Sequence, residues 1–418
     1  THMYLGIDCG TQGSKAILFD AESGEVVARA QAPHPIISEA NGRREQKCAW
    51  WITALHQALQ QAGTRRATWP PSVSRASTMA WCCSTRPARR CATELYARTR
   101  HVLLPHDYIN YWLTGETATD AGEASGTGYY DVVARRWSQE MLQIVDPSGV
   151  LAAALPRICP PLQAIGTVRR AIAEEFGFSP DTLVSCGSGD NVMGAVGTGT
   201  VAPGSATIGL GTSGVLNMYA ERTALDVYRD VQMFCGLETG WLATAVMMNA
   251  TSSTTAVRQL LGAEVQDFDR LLNSAPPGSE GLRMYPFFNG ERIPALPRAR
   301  GMLKGLSQDN LTPANLLRAT AESVALGLKW GFDRLSPHFG HPQQFCLTGG
   351  GANSAAWRQI LADVFDTPFS CTGKKMAHWL ASSGQSHPTG QPQTGEYFEH
   401  FYLCLQAAAV GLGAAIGS

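Results

Sequence analysis

The sequence predicts an α/β protein of two lobes, and three observations carry that prediction. A strand, a glycine-threonine loop and a returning strand occur twice, over 4–20 and again over 206–219. The first of these is followed by a third strand rather than a helix, which separates the opening from a dinucleotide-binding βαβ unit. The length of 418 residues is a soft prior for two or three domains and suffices for a sizeable core.

Tyr4-Leu5-Gly6-Ile7-Asp8 reads as a short buried strand, and Ala16 to Asp20 as its partner. Glu25 to Ala30 alternates like a half-exposed third strand after the turn at Ala21 to Gly24. Helical periodicity then sets in over Trp50 to Ala62, with Trp51, Leu55, Ala58 and Leu59 on one face. A helix of small residues is expected over Val192 to Gly197. The pattern restarts with strands at Ala206 to Leu210 and Val215 to Tyr219. A long helix follows over Leu311 to Leu335, then a strand at Gln344 to Leu347, a glycine run and a last helix begun at Asn353 and Ser354. The lobe boundary is expected near Thr200, which gives lobes 1–200 and 201–418.

Composition excludes several classes. The formal net charge is −1, which argues against a nucleic-acid footprint and a polybasic membrane surface. Eleven cysteines without paired spacing make neither a disulfide framework nor a zinc site. No apolar run reaches membrane-spanning length, including the tail Leu403 to Ile416, and no basic-then-apolar leader is present. Thr1 and His2 read as additions ahead of a start at Met3. The expectation is a cytoplasmic protein, with a homodimer as one assembly.

Four segments carry chemistry. In Asp8-Cys9-Gly10-Thr11-Gln12-Gly13-Ser14-Lys15, a carboxylate at a strand end precedes glycine amides and a hydroxyl, a set that can hold a Mg²⁺-bound polyphosphate. An ordinary glycine hairpin with a surface lysine has the same residues. Leu210-Gly211-Thr212-Ser213-Gly214 can press amides on the same phosphates, or serve as a plain turn. Gly349-Gly350-Gly351-Ala352-Asn353-Ser354 lies between a strand and a helix, where backbone can approach a ligand and the helix N-terminus favours an anion. Gly187-Ser188-Gly189-Asp190-Asn191 offers a carboxylate on a glycine loop; Asp190 suits both a proton acceptor and a helix N-cap. His34, His106, His338 and His341 lack ligand spacing and read as surface or capping residues, Trp330 reads as core, and Arg292 suits a phosphate clamp or an ion pair.

In this order the turns resemble the phosphate and adenosine elements of the actin-like ATPase superfamily, and more closely the FGGY carbohydrate kinases, nearest their xylulose kinases. The resemblance rests on Met3 to Gly63, on Val102 to Tyr108 with Leu113-Thr114-Gly115-Glu116 and Asp120, and on most of the chain from there to about Phe369. Asn289-Gly290-Glu291-Arg292-Ile293-Pro294, Gly301 to Leu306, Asn315-Leu316 and Ala319 to Glu322 belong to it as well. It implies two ribonuclease H-like lobes around a nucleotide and sugar cleft, and ATP-dependent phosphorylation of a ketopentose, D-xylulose first. It further implies Asp190 as catalytic base, with Asp190 and Asn191 at the sugar, and Asp8 as the carboxylate for Mg²⁺. Gly10, Thr11, Lys15, Gly211, Thr212 and Ser213 would sit at the phosphates, and Gly349, Gly350, Gly351 and Asn353 on the adenosine side. The three turns would converge on one nucleotide opposite Asp190. The alternatives are a kinase for ribulose, glycerol or gluconate, and a nucleotide-binding remnant.

Two segments depart from the family pattern. Between Gly63 and His101 the expected sugar loop is replaced by Ser74-Arg75-Ala76-Ser77-Thr78-Met79-Ala80-Trp81, in a stretch with eight arginines and one acidic residue, Glu94. One codon set for Arg75 to Trp81, read two nucleotides later, encodes Gly-Gln-His-His-Gly-Leu, the family's loop. The same offset over Lys374 to Trp379 restores an acidic-Gly-Ala stretch. The expectation is that about 64–100, with a deletion beside it, and about 371–418 are out of frame; the adjacent Cys82 and Cys83 then carry no metal or redox role. Sequencing the encoding DNA should find homologous codons in the shifted frame at both places, and their absence there would end the idea.

Overall fold

The computed structural model describes residues 3–10, 13–20, 25–38, 44–62, 96–161, 163–224, 231–236, 239–371 and 408–412. Most of both departing segments therefore lies outside the described residues. The chain divides into two compact units, 1–197 with 380–418, and 198–379.

In the first unit, β1 (Met3–Gly10), β2 (Gly13–Asp20) and β3 (Glu25–Pro33) form the expected antiparallel meander. Its core face alternates: Leu5, Ile7, Ala16 and Ala32 are buried. Helix α1 (Cys48–Gln61) covers the sheet with Trp51, Leu55, Ala58 and Leu59, the stripe its periodicity predicts. Helix α2 (Pro105–Thr114) begins at a proline and packs Tyr108, Ile109 and Leu113 into the same core. Next come β4 (Ala118–Asp120) with the one-turn helix α3 (Ala121–Ala124), and β5 (Arg157–Cys159), which pairs parallel with β4. β6 (Ala164–Thr167), helix α4 (Arg170–Phe176), β7 (Leu183–Ser185) and helix α5 (Asp190–Gly197) complete the run. The strand Ala408–Leu412 pairs antiparallel with both β1 and β7, so this part of the tail belongs to the first sheet, whereas the sequence reading grouped it with the second lobe.

The second unit is built on a six-stranded sheet. β8 (Ser205–Leu210), β9 (Gly214–Ala220), β10 (Gln232–Cys235) and β11 (Trp241–Met247) are antiparallel to their neighbours. After helices α6 (Thr251–Leu260), α7 (Phe268–Ser274) and α8 (Pro313–Phe339), β12 (Gln344–Thr348) adds parallel to β8. Helix α9 (Ala355–Phe365) and β13 (Phe369–Cys371), parallel to β12, close the unit.

The long helix α8 carries a buried stripe of Leu317, Ala321, Val324, Leu328, Phe332 and Leu335. Phe332 meets Phe345 and Phe365 at ring separations of 5.4 and 5.6 Å. Trp357 of α9 is 1% exposed and donates its indole N–H to the Ala321 carbonyl at 3.1 Å, joining the two helices. Trp330, by contrast, is only half-buried, stacked by Arg334 at 4.8 Å, rather than in the core. Trp357→Ala should destabilise the chain by about 3–5 kcal/mol and Trp357→Phe by about 1–3 kcal/mol, because Phe fills the space but orphans a carbonyl. Chemical denaturation of the two variants checks the order.

Candidate active site

The register of the first hairpin sets Asp8 opposite Lys15, which puts both side chains on one face. Lys15 Nζ donates to Asp8 Oδ2 at 3.0 Å; the Asp8 side chain is 13% exposed and Lys15 44%. Asp8 Oδ1 meets no hydrogen-bond donor among the described residues. Gly10 pairs with Gly13, and Thr11 between them lies outside the described residues. Gly13 is imposed by its neighbour, since a Cβ there would stand 2.7 Å from the Ala32 carbonyl oxygen. Burial pushes the Cys9 thiol up to about 12, so it is no thiolate ligand beside Asp8. His34 is buried behind this hairpin rather than on the surface, with Nδ1 3.1 Å from Gln46 Nε2, and burial lowers its proton affinity. Among the described residues no group of three His, Cys, Asp or Glu side chains could hold a metal. Asp8 therefore suits a Mg²⁺ ion only with phosphate oxygens or water completing the shell, which is that ion's usual arrangement.

The loop after β7 presents Asp190. Gly187 takes a φ of 71°, which favours glycine, and the chain then turns into α5. Asp190 is the first helical residue and is exposed; its Oδ1 accepts from the Asn191 amide at 2.7 Å. The cap position falls on Gly189, whose carbonyl accepts from Met193 N at 2.9 Å, so Asp190 is one residue inside the N-cap that the sequence suggested. Asn191 follows, half-buried.

What fixes this loop is a buried polar cluster that sequence reasoning passed over. Ser188 donates its hydroxyl to Asp120 Oδ2 at 2.7 Å, and Asp120 also accepts from Gly122 N at 2.7 Å and Glu123 N at 3.0 Å. The Cys186 carbonyl accepts from His106 Nε2 at 2.8 Å and from Asn110 Nδ2 at 2.6 Å. His106 is thus a buried anchor and not a surface or capping residue; it is 4% exposed, and its Nδ1 stands 3.0 Å from Asp107 Oδ1. Burial works against the His106 cation, but Asp107, with Glu123 and Asp120 behind it, overcomes this and lifts the imidazole to about 10. For Asp120, burial raises the carboxyl's proton affinity, while His106, Ser188 and the two amides oppose the rise. The one sequence signal for this cluster is Asp120-Ala121-Gly122-Glu123, where a Cβ at Gly122 would collide with Ser188 Oγ.

In the second unit the expected phosphate turn and the expected adenosine turn lie side by side. β8 and β12 are parallel neighbours, and Gly211 to Gly214 and Gly349 to Gly351 follow their carboxyl ends, where open α/β sheets bind ligands. Gly349 has a φ of 88°, and a Cβ there would stand 2.5 Å from the Leu210 carbonyl oxygen. Gly351 packs as closely on the Leu210 side chain, whereas a Cβ at Gly350 would meet nothing within 4 Å. Two of the three glycines thus serve close packing, and Gly350 leaves exposed backbone beside the hairpin. The amides of Thr212 and Ser213 have no acceptor among the described residues, while the carbonyls of Gly211 and Thr212 take the first donors of α6. Asn353 is exposed. The expected anion site at the start of α9 is filled from within: Asp269 accepts from Ala355 N at 2.9 Å and from Ser354 Oγ.

Glu291 of the Gly-Glu-Arg loop is 2% exposed and accepts from Met248 N, Asn249 Nδ2 and Arg292 N at 2.6–2.9 Å, a fastening of that loop to the end of β11. The Arg292 side chain is exposed and makes no ion pair among the described residues. A polar depression of about 440 Å³ lined by Thr198, Thr200, Ser205 and Cys346 sits at the opposite ends of β8 and β12, away from the glycine turns.

The N-terminal domain of the FGGY family of carbohydrate kinases matches residues 3–84 and 72–197, two pieces that overlap over 72–84 inside the departing segment, and the C-terminal domain matches 206–378. The chain is 36% identical to a xylulose kinase of Haemophilus influenzae over 443 aligned positions, covering 92% of this chain and 90% of that protein. That alignment exceeds the 418 residues of the chain, so the relative carries residues with no counterpart here. A xylulose kinase of Streptomyces rubiginosus is 32% identical, over 86% of this chain and 82% of that one. Among solved structures, a xyloylose kinase from Brucella ovis superposes with a TM-score of 0.78 at 26% identity, over 96% of this chain and 97% of that one. Among the described residues no helix is long and apolar enough to cross a membrane. Two actin-like ATPase domains, both matched by one family along nearly the whole chain, establish that it belongs to the FGGY carbohydrate kinases, phosphotransferases acting on sugars.

Proposed function

We propose that the chain transfers the γ-phosphoryl group of ATP to the C5 hydroxyl of a ketopentose, turning D-xylulose into D-xylulose 5-phosphate. Asp190 takes the hydroxyl proton as the oxygen attacks phosphorus, and ADP leaves with the bridging electrons. Asn191 orients the sugar. Thr212 and Ser213 amides and the Lys15 ammonium are donors for the polyphosphate, and the exposed backbone of Gly350, with Asn353, lies on the adenosine side. Asp8, whose Oδ1 has no partner among the described residues, would hold Mg²⁺, which when bound neutralises phosphate charge. By sequence, Gly10 and Thr11 follow Asp8 toward the phosphates; Gly349 and Gly351 keep the second pair of turns closely packed, and Gly211 opens the first of that pair.

What chiefly supports this reading is the exposed Asp190 carboxylate, held on a loop anchored by three side-chain hydrogen bonds, in a chain 36% identical to a xylulose kinase. A second reading, a nucleotide-binding remnant without turnover, draws support from Ser74 to Trp81 standing where the family has its sugar loop. Coupled ADP release with D-xylulose, D-ribulose, glycerol, gluconate or no sugar separates the possibilities. The proposed reading expects D-xylulose to give the highest kcat/KM. It also expects Asp190→Asn to lower kcat by about 10²–10⁴-fold with nucleotide affinity kept. Calorimetric ATP binding with no turnover on any of the four would favour the remnant.

A further inference from the structure

Glu123 stands out in the cluster behind Asp190. Its amide is fixed to Asp120 at 3.0 Å, and Asp120 is fixed in turn to Ser188, so its position relative to the loop is set from both sides. Its carboxyl lies against the backbone that precedes Asp190, because a Cβ at Gly189 would collide with Glu123 Oε2. Yet that carboxyl accepts no hydrogen bond from any described residue, unlike Asp120 three positions earlier.

We propose that Glu123 is a positioning residue for the reaction, its carboxyl occupying the space left by Gly189 and setting where the loop holds the Asp190 carboxylate. This rests on the reading of Asp190 as the proton acceptor. The groups facing Glu123 are His106 and Asp107 from α2, Asp120 from β4 and Asp190 from α5. Burial lifts Glu123 to about 7; the His106 cation opposes the rise, and the three carboxylates add to it. The charge on Glu123 therefore changes in the working range. Ionised, it repels the Asp190 carboxylate and holds it out from the Gly189 backbone; neutral, it packs against that backbone and lets the carboxylate fall back.

The experiment is kcat against pH from 5.5 to 9 for the full chain and for Glu123→Gln, Glu123→Asp and Gly189→Ala. The wild-type profile should rise through an inflection near 7, which Glu123→Gln removes, with kcat at pH 8 lowered about three- to tenfold and both KM values within about twofold. Glu123→Asp should retain the inflection in shifted form. Gly189→Ala should move it too, because its methyl displaces the carboxyl while the backbone at 189 is not in the left-handed region. A readout without turnover is thermal stability. The carboxyl's proton affinity is raised on folding, so its contribution is fully present below pH 4.5 and lost as pH rises through 7. Glu123→Gln should therefore exceed the wild type in Tm at pH 8 and match it near pH 5. An unchanged pH profile in an active Glu123→Gln overturns the inference alone. A wild type inactive on every polyol, or full activity in Asp190→Asn, overturns the functional reading beneath it.

Discussion

The first unit depends on one buried carboxylate. Asp120 is inaccessible to solvent and carries three hydrogen bonds, two from the start of its own one-turn helix and one from Ser188 of the loop before α5. Burying a carboxylate is expensive unless its lone pairs are filled and a cation stands near. Here the donors are two amides and a hydroxyl, and the cation is His106, which Asp107 keeps charged well above its ordinary range. Removing one member leaves a buried neighbour short of a partner, so the cluster holds its geometry as a whole. Because Ser188 and Cys186 are its attachment points on the loop, the direction of the helix that begins at Asp190 is decided here.

The second unit solves a different problem, the presentation of amides that have no acceptor among the described residues. Helix N-termini are the ready anion sites of most α/β proteins, but both candidates here are occupied. The first donors of α6 go to the carbonyls of Gly211 and Thr212, and those of α9 to Asp269. The donors that remain belong to the turns themselves. Leu210 governs their spacing: its carbonyl and side chain exclude a Cβ at Gly349 and Gly351, and the same residue begins the Gly211 to Gly214 turn. A side chain at either glycine would push the two turns apart before it touched any ligand.

Local patterns made much of this legible in advance. Both hairpins, the buried stripe of α1 and the long helix α8 follow from periods of two and 3.6 residues and from glycine turns close by in sequence. The roles of His106 and Asp120 do not, because they depend on partners 80 and 68 residues away. No local period distinguishes a buried imidazolium from a surface histidine. The occupied start of α9 is similarly remote, since Asp269 lies 86 residues before Ala355. Strand Ala408–Leu412 was hidden for a related reason: its partners are β1 at one end of the chain and β7 in the middle.

Asp120 and Glu123 occupy one helical turn and share a carboxyl chemistry, yet their surroundings set them to opposite tasks. Asp120 has its oxygens filled by protein donors, so it can fix geometry but has nothing left to offer a reaction. Glu123 has none of those donors, lies on the glycine next to Asp190, and is raised to a range where its charge responds to pH. Glycine at 122 lets the first carboxylate reach Ser188, and glycine at 189 makes room for the second. The small residues of the Gly187 to Asn191 loop are therefore a requirement of the carboxyls behind it.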